Sequence, residues 1–103
     1  MSSRGKASNI HRDAKAGYID RLDEELSISP KRVNEKNADG FTPLYYACVA
    51  NKLEAVKFLV SKGADPRWKD ENGISILHHT CKAANFKIAN LLIDEYGVNE
   101  PNK

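Results

Sequence analysis

The sequence predicts an all-α fold: a stack of repeated helix pairs joined by β-hairpin-like fingers. Three observations carry this expectation. Residues 39–48 (Asp39-Gly40-Phe41-Thr42-Pro43-Leu44-Tyr45-Tyr46-Ala47-Cys48) recur 33 positions later as Asn72-Gly73-Ile74-Ser75-Ile76-Leu77-His78-His79-Thr80-Cys81, and a fixed period of this length marks a solenoid. Both copies are followed by apolar residues in matching places, Ala55, Val56, Phe58, Leu59 and Val60 in one and Ile88, Ala89, Leu91, Leu92 and Ile93 in the other, as in helices that bury a face. Both copies also open on a turn signal, and a hydroxyl residue fit to cap a helix follows two residues later.

Residues 1–8 are small, polar and basic, the composition of a disordered N-terminus. A first, divergent repeat spans 9–36, since Ala14-Lys15-Ala16-Gly17-Tyr18-Ile19-Asp20 matches Cys48-Val49-Ala50-Asn51-Lys52-Leu53-Glu54. Its helices are expected near 10–16 and 18–27, with Pro30 ending the second one, because the residue before a proline disfavours helical dihedrals. Ile19, Leu22 and Leu26 form its apolar stripe, and Asp23, Glu24 and Glu25 read as a solvated face. One buried and one polar side is what a terminal capping repeat requires.

A finger then runs over Val33–Gly40, where Asp39-Gly40 turns at little steric cost. The second repeat covers 37–69, with helices near 42–50 and 52–62. Thr42 is its N-cap, Pro43 suits the first helical position, and Asn51 accepts the left-handed break. The third repeat covers 70–103, with helices near 75–83 and 85–96. Here Ile76 replaces the proline and Ala84 stands where Asn51 did. It has no polar outer side, and Val98-Asn99-Glu100-Pro101-Asn102-Lys103 echoes Val33-Asn34-Glu35-Lys36-Asn37 as an incomplete finger. The expectation is the N-terminal part of a longer repeat array, or a C-terminal face covered by a partner or a second copy.

The run Gly40-Phe41-Thr42-Pro43-Leu44, then Ala47-Cys48, Leu53 to Val60 and Gly63-Ala64-Asp65 resembles the ankyrin repeat over roughly residues 10–103. That resemblance implies recognition through a concave face made of finger tips and the exposed sides of the first helices. Carried onto this chain, it implies protein binding by Lys36, Ala38, Asp39, Phe41, Val49, Ala50, Lys69, Glu71, Asn72, Ile74, Lys82 and Ala83, with Lys15 and Ala16 from the first repeat. Phe41 and Ile74 read as apolar anchors in exposed turns. Trp68 reads either as a contact or as an aromatic packed over the adjacent repeat.

Charge narrows the partner. The formal net charge is +2, too small to imply nucleic acid or a membrane surface. Lys15, Lys36, Lys69 and Lys82 occupy matching places and align into a short basic row. Four lysines neutralise few phosphates, and an acidic protein segment suits the row better. No apolar run is long enough for a signal peptide or membrane span, so an intracellular protein, cytoplasmic or nuclear, is expected.

Nothing in the pattern reads as catalytic or cofactor-binding. His78, His79, Cys48 and Cys81 have ligand chemistry, but a Cys/His metal site needs about four converging ligands, and His78 and His79 diverge by about 100° on a helix. The resemblance has His78 bracing the cap and finger, and puts Cys48 and Cys81 at small buried positions. A bridge between the two is not expected, because packed helices lie about 8–10 Å apart and a disulfide needs Cα atoms within about 7 Å. The expected function is a non-catalytic protein-interaction module. The alternative is a regulatory or substrate-docking segment of a larger enzyme, a kinase, acyltransferase or GTPase regulator whose catalytic domain lies beyond Lys103.

Overall fold

The computed structural model describes residues 9–97; the disordered start expected for 1–8 and the incomplete finger expected at 98–103 lie outside them. Six α-helices form three antiparallel pairs: α1 (Ile10–Ala16) with α2 (Ile19–Ile28), α3 (Pro43–Val49) with α4 (Leu53–Ser61), and α5 (Ile76–Lys82) with α6 (Phe86–Asp94). The first helices stack as a row α1–α3–α5 and the second as α2–α4–α6. No strand occurs among the described residues. One isolated antiparallel bridge, Lys69 to Ser75, stands at the second finger.

Two-turn helices such as α1, α3 and α5 are marginal alone, so caps and packing hold them. Asn9 accepts the backbone N–H of Arg12, Thr42 that of Tyr45 and Ser75 that of His78. Pro43 fills the first position of α3, where its missing N–H costs nothing. Each first helix ends in a left-handed residue at the matching place: Gly17 at φ 78°, Asn51 at 61° and Ala84 at 64°. The reversal lays each second helix back on the first. Ile10, Leu22, Leu44, Leu59, Ile76, Ile88 and Leu92 are fully buried and form one continuous core.

The α-helix before Pro30 ends at Ile28 as expected, with Ser29 out of helical geometry at φ −141° and ψ 85°, and Pro30 then opens a 3₁₀ turn over Pro30–Asn34, because its fixed φ suits a first helical turn. Two expectations change. Of the run Asp23, Glu24 and Glu25 in α2, Asp23 and Glu24 are solvated but Glu25 is buried beside Leu22 and Leu26. Cys48 is buried, whereas Cys81 is exposed. Cys48 lies beneath the third repeat, and no described residue covers Cys81 in the same way.

That last difference recurs at two positions of α6. Phe86 is 63% and Ile93 43% exposed, while their counterparts Leu53 and Val60 are half-buried. The inner positions match, with Ile88, Ala89 and Leu92 buried like Ala55, Val56 and Leu59, and only these outer positions differ between the two repeats.

Candidate binding groove

Two fingers project beside the first helices, each held by one side chain. In the first, Asn37 Oδ1 accepts from the backbone N–H of Asp39 (3.0 Å) and Phe41 (3.1 Å), while Asn37 Nδ2 donates to the Tyr46 hydroxyl at 2.8 Å. In the second, Asp70 Oδ1 accepts from Asn72 and Ile74, both at 2.9 Å, and His79 Nε2 donates to Asp70 Oδ2 at 3.0 Å. The backbone closes each turn as well, with Asn37 and Phe41 paired, and Asp70 and Ile74 paired, at 3.0 Å. A turn residue thus folds its own loop and pins it to the helix that follows. The Asp70 carboxyl sits below its ordinary range, chiefly because the Ile74 amide donates to it, with His79 and the Asn72 amide adding to the effect.

These braces were not singled out in the sequence, although the signal is present. Asn37 and Asp70 are 33 residues apart, as are Tyr46 and His79. The repeat alignment pairs them, and each pair is chemically complementary. His78 does brace the cap as the resemblance implied: its Nδ1 lies 3.0 Å from Ser75 Oγ.

Most of the finger-tip and helix residues singled out by the resemblance are solvent-facing. Lys36, Ala38, Asp39, Lys69, Glu71, Asn72, Ile74, Lys82 and Ala83 are exposed, and Val49 and Ala50 are half-buried. Phe41 departs from its reading as a free anchor. It is half-buried and stacks on Tyr45 at 4.2 Å and 11°, because the Asn37 turn folds its ring back over α3. Trp68 is buried, with ring centroids 5.7 Å from Phe41 and 5.8 Å from Tyr45. It therefore packs between repeats, and its indole Nε1 has no hydrogen-bond partner. Tyr45 also meets the His79 ring edge-on at 5.0 Å. Burial, then the neighbouring Tyr46 and the Asp70 carboxylate, push the Tyr45 hydroxyl pKa up.

The result is an aromatic shelf, Phe41 and Tyr45 over Trp68, between two stiffened fingers with Ile74 at the second tip. It presents apolar surface and backbone in a fixed geometry. Among the described residues, no group of three His, Cys, Asp or Glu side chains is placed to hold a metal ion, and no helix is long and apolar enough to cross a membrane.

Comparison with known proteins bears on the fold and on the kind of surface. A family model described as ankyrin repeats, in three copies, matches residues 10–103. The transient receptor potential cation channel subfamily A member 1 homolog of Caenorhabditis elegans is 37% identical over 86 residues, 80% of this chain and 7% of that protein. The DNA-binding protein RFXANK of Homo sapiens is 41% identical over 58 residues, 56% of this chain and 22% of that protein. The phosphocholine transferase AnkX of Legionella pneumophila is 35% identical over 83 residues, 81% of this chain and 8% of that protein. The chain spans less than a quarter of the length of each of these relatives.

Proposed function

Because the chain belongs to the ankyrin-repeat family, a class of protein-interaction modules, we propose that it binds a protein partner non-catalytically through its finger tips and first helices. The reading divides the chain into a capping repeat at 9–36, a second repeat at 37–69 and a third at 70–103. One observation carries it: two fingers, each braced by a side chain, hold exposed residues on either side of a half-buried aromatic shelf. Preorganised surfaces lose little conformational entropy on binding, and Ile74 offers apolar area to desolvate.

Lys36, Lys69 and Lys82 flank this surface and are exposed, which favours an acidic segment in the partner. The row is too short to favour nucleic acid. The protein would act inside the cell, in cytoplasm or nucleus. The bare apolar face at Phe86 and Ile93 supports a further repeat or a second copy stacked there. A monodisperse monomer that binds no hydrophobic dye would exclude that arrangement.

Affinity capture with this chain beside the Phe41→Asp/Ile74→Asp variant tests the groove. Partners lost only from the variant define it; an identical set from both chains, with both folded by circular dichroism, would sink it. A second reading, docking or regulation within a larger enzyme, is supported by the relative named as a phosphocholine transferase. A catalytic domain in the same reading frame would decide for it.

A further inference from the structure

A second feature lies at the first-repeat end of the same surface. A cleft of about 500 Å³ opens between α1, the 3₁₀ turn, the base of the first finger and α3. Its lining includes Arg12, Lys15, Arg32, Glu35, His11 and Tyr46. This volume falls within the roughly 300–1,000 Å³ of ligand clefts, yet it is neither apolar nor electrically neutral. Lys15 and Arg32 stand beside one lining carboxylate, Glu35.

The floor is fixed. His11 is buried, and its Nε2 donates to the Glu35 carbonyl at 2.7 Å, tying α1 to the finger base. The Tyr46 hydroxyl is held by Asn37 at 2.8 Å. The single carboxylate is already engaged: Glu35 Oε1 accepts from Arg32 Nε at 2.9 Å. That bond uses one of the five N–H donors of the guanidinium, so Arg32 retains donors in the same plane for a second acceptor. The rim therefore favours anions and disfavours cations. The Tyr46 ring also lies 6.0 Å, edge-on, from Phe41, so this one side chain borders both the cleft and the aromatic shelf.

We infer that this cleft is the anchoring pocket for the carboxylates of an acidic peptide segment, with an adjoining apolar side chain of that segment on the Phe41–Tyr45 shelf. The inference rests on the protein-binding reading and adds to it a place and a chemistry. The four-lysine row read from the sequence touches this cleft only at Lys15; Arg12 and Arg32 come from outside it. Lys15 and the remaining donors of Arg32 suit one or two carboxylates carried on one strand. The repeating phosphates of a nucleic acid call for a longer track.

The test is fluorescence polarisation with a short labelled peptide of glutamates around one phenylalanine. Its glutamine counterpart, a short uridine RNA and inorganic phosphate as competitor are run in parallel. The glutamate peptide is expected to bind at least about tenfold tighter than the glutamine peptide at low salt, and to weaken as salt screens the rim charges. Lys15→Glu/Arg32→Glu is expected to lose at least about tenfold in affinity, and the milder Lys15→Gln less, with circular dichroism and melting temperature showing that each variant folds. Equal binding of the two peptides, an unchanged affinity in the folded reversal variant, tighter binding of the RNA, or displacement by phosphate in preference to glutamate would each overturn the inference. The two readings separate cleanly. A partner lost with Phe41→Asp/Ile74→Asp but retained by Lys15→Glu/Arg32→Glu removes this pocket and leaves the groove. The opposite pattern removes the groove and overturns the seating of the segment on the shelf.

Discussion

Asn85 offers a direct test of how the second and third repeats are joined. Its side-chain Nδ2 donates to the carbonyls of Cys48 at 2.8 Å and Val49 at 3.1 Å, which lie in the last turn of α3, where helix carbonyls lack intrahelical partners. The amide orientation follows from the partners, because a flipped Asn85 would set Oδ1 against two carbonyl oxygens. Asn85→Ala removes both bonds. Each is worth on the order of 1 kcal/mol net, but the Cys48 carbonyl keeps a longer contact from the Asn51 amide at 3.3 Å. The expected loss is about 1.5 kcal/mol. Asn85→Asp should cost at least as much, since a carboxylate there faces two acceptors. Urea unfolding followed by helical circular dichroism reads this directly: with a slope of roughly 1–1.5 kcal/mol/M for a chain of this size, the midpoint should fall by about 1 M in Asn85→Ala. A change below about 0.3 kcal/mol, or an Asp variant as stable as the parent, would refute the claim that this side chain fastens one repeat to the next.

Ala84 holds φ 64°, a left-handed conformation that costs a non-glycine residue. Ala84→Gly should therefore stabilise by about 0.5–1 kcal/mol and raise the melting temperature by roughly 3–6 °C; an unchanged or lower value would show that the strain is absent. Native protein treated with a thiol reagent should show one fast-reacting cysteine, Cys81, while Cys48, whose pKa burial pushes up to about 12, should react only on unfolding. The second finger should loosen in acid and the first should not. The Asp70 carboxyl is lowered in the fold, so its contribution is fully present above the ordinary carboxylate range near pH 4 and is lost as pH falls through the lowered value. The Ile74 amide resonance should move over that range while Phe41, held by the neutral Asn37, stays put, and Asp70→Asn should abolish the difference.

The period between residues 39–48 and 72–81 determined the element order, the caps and the helix breaks, because each depends on residues close together in the chain. Thr42 and Ser75 cap helices that begin at the next residue, and Asn51 takes its positive φ from its own place at a helix end. The same periodicity contains the finger braces, which became legible once Asn37 and Asp70 were matched with Tyr46 and His79.

Tertiary packing decided what the local pattern left open. Cys48 and Cys81 are equivalent in sequence and opposite in burial, because burial depends on whether a following repeat lies over them. Phe41 has the sequence context of an exposed tip but forms one wall of an aromatic stack, since the fold brings Tyr45 and Trp68 against it. The cleft joins Arg12 and Lys15 to Arg32 and Glu35 across the finger, residues some twenty positions apart with no common period. A repeat records what every copy shares; contacts between copies, and at the ends of the stack, exist only when the chain is folded.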